Sequence, residues 1–260
     1  MFCDDPGKIT PEHTIPSWMV SGEKSSGHVY VRESGGPNYQ RRQHAREGPE
    51  RHLAAKGPCV QCNSGWMNDM DHGVLDVLGP QLMRGKLVKL TKAKKAALAA
   101  WAVKYVLMNQ LTHDRERRFA IPEPEYARFY AERSPGSAMR LWAGHMEPPG
   151  KHGGLVLGFA DFSLNETYHD PSMLALAGLS ADLVSKEFSA VFRFGHCVIS
   201  LYRANDMILE AIRLIRPRAW VHIWPAIGTS RWPPIEPLLP LPTGRLDPLF
   251  AGLPVRSPIT

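Results

Sequence analysis

The chain has 260 residues, 43% of them hydrophobic and 22% charged, a balance that excludes disorder throughout and suits one large domain or a small one joined to a medium one. Lysine and arginine number 31 against 25 aspartates and glutamates, a net charge of +6, which favours polyanionic partners without demanding them. The four cysteines, Cys3, Cys59, Cys62 and Cys197, are too few and too clustered for a disulfide scaffold.

The opening residues, MFCDDPGKITPEH, have neither the basic start nor the apolar stretch of a signal peptide. The longest apolar run, AALAAWAV at 96–103, is cut by Lys104, far short of the roughly 20 residues of a membrane span. A cytoplasmic protein with no bilayer segment is expected.

Residues 1–20 are short and punctuated: DDPGKITPEHTIPSWM carries three prolines and one glycine, so any strands there are brief and bounded by turns. Residues 21–58 are polar, with one predicted strand in HVYVRES. The basic stretch YQRRQHAREGPERHLAAKG that follows is either a solvated loop or an arm across a phosphate backbone, with Arg41, Arg42, Arg46 and Arg51 as its contacts.

From Cys62 the pattern turns helical. Asn63 or Ser64 is the expected cap of a helix through GWMNDMDHGVLDVLG, in which Trp66, Met70, Val74 and Leu78 share one face. The segment TKAKKAALAAWAVKYVLMNQL (91–111) starts with a threonine cap and is built of good helix formers. Leu98, Trp101, Tyr105, Met108 and Leu111 form its apolar stripe. Lys92, Lys94 and Lys95 read as residues that keep this helix soluble, or as phosphate contacts. Trp66 and Trp101 read as core residues, since both sit on apolar stripes.

A third helix is predicted in PEPEYARFYAERS, after the charged THDRERR. Beyond it the chain turns β-rich. GGLVLGFADFSL (153–164) reads as one strand, FSAVFRFGHCVISLYR (188–203) as a hairpin turning at Gly195-His196, and AWVHIWP (219–225) as another strand. Cys197 falls in a strand and reads as a small buried residue. WPPIEPLLPLPTGRLDP lacks the amide donors of a central strand and is expected to lie over the domain as an extended tail.

The stretch CVQCNSGW at 59–66 carries the chemistry. A C-x-x-C pair serves as a dithiol when it follows a strand and opens a helix within a βαβ unit, and RHLAAKGP does not read as a buried parallel strand. A zinc site asks for further ligands, and Cys3 is the other cysteine near enough in sequence to serve. A C-x-x-C partner of Cys3 would fall one position before Met1. The bland alternative makes Cys59 and Cys62 small packing residues or a weak dithiol. If a knuckle gathers Cys3, Cys59 and Cys62, then Glu12, His13 and Asn63 are drawn to neighbouring places.

The combination of PEHTIPSW, CVQCNSGWM and, more loosely, LAAWAVKYVLM resembles the HNH (His-Asn-His) endonucleases, in the zinc-knuckle ββα-metal branch found in bacteria and phages. The likeness covers roughly the first 110 residues. It implies that His13 is the general base, that Glu12 and Asn63 hold a catalytic Mg2+ or Mn2+, and that Cys3, Cys59 and Cys62 hold a structural Zn2+. It also implies an asparagine that orients the histidine. Asn38, the one asparagine between the two motifs, takes that place. An imidazole titrating near ~6.5 suits proton abstraction, and a hard cation with oxygen ligands suits charge neutralisation at phosphorus. The chain departs from the family pattern in using glutamate where aspartate or histidine is commoner, and asparagine, a weaker donor than imidazole, on the helix. Asp69, Asp71 and His72 could supplement the cation, or act as dipole partners on a wet face.

The resulting expectation is an α+β protein: an N-terminal ββα-metal module (1–80), a helical linker region (81–130), and a C-terminal α+β domain containing antiparallel sheet and a proline-rich tail (131–260). Its function would be metal-dependent hydrolysis of phosphodiester bonds in nucleic acid, with double-stranded DNA as the partner. The competing readings are a zinc-stabilised nucleic-acid-binding protein without hydrolytic activity and a thiol oxidoreductase using Cys59 and Cys62.

Overall fold

The structure, a computed structural model, describes residues 8–13, 16, 18, 29–34, 42–47, 54–111, 121, 123–146, 157–163, 188–203, 220–235 and 237. It mixes helix and sheet, in keeping with the expected α+β class. Strand β1 (Ile9–His13) pairs antiparallel with β4 (Ala54–Cys59). Between them, β2 (Val29–Ser34) and β3 (Arg42–Glu47) pair antiparallel with each other. The stretch expected to be a loop or arm is thus a strand over Arg42–Glu47, because backbone pairing with β2 claims its amides.

These two strands join a seven-stranded sheet of order β10-β6-β9-β8-β7-β2-β3. Its other members are β6 (Met139–His145), β7 (Leu157–Ser163), β8 (Phe188–Phe194), β9 (Cys197–Arg203) and β10 (Trp220–Trp224). Every pairing in it is antiparallel except that of β2 with β7. A third, two-stranded sheet joins β5 (Val88–Leu90) to β11 (Ser230–Trp232). The β2–β7 and β5–β11 pairings cross the boundaries drawn at residues 80 and 130.

From Val60 to Leu82 the chain is helical. Val60–Cys62 leads into a wide turn, Asn63–Met67, then helix α1 (Asn68–Val77) and a second wide turn, Leu78–Leu82. Helix α2 (Lys92–Leu111) and helix α3 (Glu123–Glu132) follow. Thr91 caps α2 as its sequence predicts: Thr91 Oγ1 accepts the Lys94 N–H at 3.3 Å, and its carbonyl accepts the Lys95 N–H at 2.9 Å. Thr91→Ala is expected to cost about 1 kcal/mol, read as a lower urea midpoint at unchanged slope.

Helix α2 is the centre of the core. All residues from Leu98 to Leu111 are buried, well beyond the expected stripe. A helix buried on every side needs elements on every side, and α2 contacts α1, β4, β5, β9 and β10. Its aromatic side meets the hairpin: Tyr105 lies 4.8 Å from Phe192 and 5.1 Å from Phe194 between ring centroids, and Trp101 lies 5.3 Å from Phe194. Lys95, expected at the surface, is instead 2% exposed. Its Nζ donates to the Ile227 carbonyl at 2.9 Å, and burial lowers its pKa from the ordinary lysine value.

The hairpin turns where expected. Phe194 pairs with Cys197 across the two-residue turn Gly195-His196, and Gly195 takes the left-handed conformation at φ 56, which glycine adopts without strain. Cys197 is fully buried, and burial pushes its thiol well above the ordinary range. Trp232, the first residue of the expected tail, instead ends a strand, and residues 236 and 238–248 of that stretch lie outside the described residues. Ser230–Trp232 forms β11 and Trp232 is fully buried, the strand ending where Pro233 and Pro234 withdraw amide donors. Among the described residues no helix is long and apolar enough to cross a membrane.

Candidate functional site

Strand β1, strand β4 and the helical stretch from Val60 follow one another as two antiparallel strands and a helix. The register places Ile9 opposite Cys59, Pro11 opposite Lys56, Glu12 opposite Ala55 and His13 opposite Ala54. The shift between Ile9 and Pro11 puts an extra residue on β4 near Gly57 and Pro58, where a proline can sit in a bulge. The Val60 N–H then bonds the Lys8 carbonyl at 3.1 Å, so β1 is tied to the chain on both sides of Cys59.

Cys59 and Cys62 are buried on this turn and are not joined in a disulfide. The helix cap expected at Asn63 or Ser64 is Cys59 instead: its Sγ accepts the Cys62 N–H at 3.4 Å. Helical geometry starts directly after β4, so the caps move upstream. Ser64 turns its hydroxyl back onto the Val60 carbonyl at 2.7 Å. Two cysteines three residues apart on one turn have the spacing of one edge of a tetrahedral site. A thioredoxin-like dithiol is poorly served, since among the described residues β4 pairs only with β1, antiparallel, and belongs to no βαβ unit.

Asn63, released from capping, reaches the other way. Its Nδ2 donates to Thr10 Oγ1 at 3.2 Å, which fastens the start of the helical stretch to β1. At the far end of that stretch the Trp18 ring packs against Gly79, 3.5 Å from where a Cβ would stand there. Pro16 is buried as well. Thr10 thus stands beside Asn63, and Trp18 beside Gly79. Thr10, just before the PEHTIPSW motif, and Trp18, its last residue, make these two contacts.

Helix α1 carries the next polar residues. Asp69 and His72 are exposed. Asp71, expected as a supplementary cation ligand or as a dipole partner on a wet face, stands in the first turn of α1 and is turned onto α2: it accepts Trp101 Nε1–H at 2.9 Å and Lys104 Nζ at 2.7 Å. Its carboxylate is committed to α2 because the helices pack with Trp101 and Lys104 facing it. Lys104 Nζ also donates to the Met67 carbonyl at 3.0 Å, gripping the end of the wide turn that Asn63 begins. The backbone leaves helical geometry at Gly65 (φ −93, ψ −115), and Trp66 follows it, edge-on to Phe129 at 5.8 Å.

Glu12 and His13 stand in β1, and Arg42 and Arg46 in β3. Cys3, Asn38, Arg41 and Arg51 lie outside the described residues. Among the described residues no three His, Cys, Asp or Glu side chains gather as a metal site; the described part of the candidate knuckle is its Cys59–Cys62 edge.

No protein-family model, curated protein or solved structure matches the chain. The functional reading therefore rests on the residues and their placement.

Proposed function

We propose that the chain is a metal-dependent endonuclease of the HNH type that hydrolyses phosphodiester bonds of DNA. The observation that carries this reading is the Asn63–Thr10 hydrogen bond of 3.2 Å. It ties the start of the helical stretch to a strand on which Glu12 lies two residues further along, about 7 Å of extended chain. A single cation ligated by an amide oxygen and a carboxylate oxygen fits such a gap. The thiols of Cys59 and Cys62, with Cys3, hold Zn2+ and keep β1 and β4 together. Glu12 and Asn63 hold Mg2+ or Mn2+.

A bound hard cation supplies charge neutralisation at the phosphorus and at the leaving 3′-oxygen. His13 takes a proton from the attacking water, with Asn38 orienting its ring. Arg41, Arg42, Arg46 and Arg51, in and around β3, contact the phosphate backbone.

The test combines elemental analysis with nicking of supercoiled plasmid across divalent metals. Expected are stoichiometric zinc, lost in Cys62→Ser, and Mg2+- or Mn2+-dependent nicking that falls about 10²- to 10⁴-fold in His13→Ala. Salt-sensitive gel retardation with no nicking in either protein would leave a zinc-stabilised binding protein. Insulin reduction by a zinc-free protein would leave a thiol oxidoreductase.

A further inference from the structure

Arg133 follows α3 directly and, at φ 54, is the single non-glycine residue with positive φ among the described residues. Its N–H closes the helix on the Phe129 carbonyl at 2.9 Å, a position where glycine is the usual choice. An L-residue there carries about 1–2 kcal/mol of strain.

The strained backbone delivers the side chain to one place. The guanidinium carbon lies 4.0 Å from the Trp66 ring centroid and 4.2 Å from that of Tyr130. The two rings stand edge-on at 6.2 Å and hold the fork like two walls of a box. Its Nη1 is buried without a hydrogen-bond acceptor, and among the described residues no carboxylate pairs with this guanidinium. Arg128, on α3 itself, differs in being paired: it bonds Glu125 at 3.0 Å, Glu132 and the Ser134 carbonyl, although its Nη2 is likewise buried without a partner.

A guanidinium is charged at every accessible pH and presents its donors in a fork that matches oxyanions. Stacking on two aromatic faces fixes it but satisfies none of its N–H groups. Arg133 as a whole residue is half-buried. Trp66 stands three residues beyond Asn63, on the same helical stretch.

We propose that Arg133, clamped by Trp66 and Tyr130, is a binding site for a phosphate group. That the phosphate belongs to a bound nucleic-acid backbone rests on the endonuclease reading.

The experiment uses the full chain in Ca2+. Binding of a fluorescein-labelled duplex oligonucleotide is followed by anisotropy over a salt series, and binding of inorganic phosphate by calorimetry. Arg133→Gln is expected to weaken the duplex about tenfold and to lower the slope of log K against log salt by about one. Arg133→Gly relieves the left-handed strain, so its melting temperature should hold or rise while it binds as poorly as Arg133→Gln. Inorganic phosphate bound by the wild type and by neither variant also supports the site; if the duplex is then ignored by all three proteins, the site stands and the nucleic-acid reading falls. Unchanged duplex affinity, salt slope and phosphate binding in both variants overturn the proposal and make Arg133 a packing residue, whatever His13→Ala does to nicking.

Discussion

Lys104→Met is expected to destabilise the protein by about 3–5 kcal/mol, although methionine fills nearly the same volume. Lys104 and Asp71 form an ion pair at 2.7 Å with side-chain exposures of 4% and 13%, so the ammonium has left water and the carboxylate keeps only a small exposed edge. The pair survives because its remaining capacity is used: Asp71 also accepts the Trp101 indole N–H, and Lys104 also donates to the Met67 carbonyl. Removing the ammonium leaves a buried carboxylate with one neutral partner, which costs far more than the net worth of the pair. The double variant Lys104→Met with Asp71→Leu should recover most of the loss, because neither charge is then desolvated. A chemical-denaturation cycle over the four proteins should give a coupling of about 2 kcal/mol or more. A single-variant cost below about 1 kcal/mol, the range of exposed pairs, would show that water reaches this site. The variant also frees the Met67 carbonyl, one turn from Asn63.

The same pair shows where sequence reading stops. The threonine cap and helix formers of 91–111 mark α2 unmistakably, and alternation around Gly195-His196 marks the hairpin, because both signals are local. That α2 is buried on every face is not local. Lys95 and Lys104 look like surface residues until Ile227, Asp71 and Met67 arrive from distant chain to accept their protons. The three-residue strands β5 and β11 are too short to show a period. At the candidate site, the motifs suggested that residues near 12 and near 63 meet, and Thr10 receives Asn63. They did not suggest the cap, because a thiol lies outside the usual set of Ser, Thr, Asp and Asn. Nor did they suggest Arg133, since a left-handed cap filled by arginine has no sequence signature.

Gly195→Ala is the second large effect, expected at about 2–4 kcal/mol from two separable causes. The first is conformational: φ 56 costs an L-residue about 1–2 kcal/mol. The second is steric, because a Cβ at this position would stand 2.3 Å from the Met83 carbonyl oxygen, and relieving such overlap costs about 1–3 kcal/mol. That oxygen accepts the His196 N–H at 2.9 Å, so the segment after Leu82 cannot retreat without breaking the bond. Nor can the turn tilt freely: Arg193 Nε donates to the Gly195 carbonyl at 2.8 Å, and the His196 ring stacks on His145 at 5.3 Å. Gly228→Ala supplies the control, since it shares the left-handed conformation at φ 57 but has nothing within 4 Å of its Cβ position. It should lose the conformational part alone. Equal losses at the two positions, measured by urea denaturation, would mean that Met83 yields freely and that the turn is not docked as tightly as these contacts require.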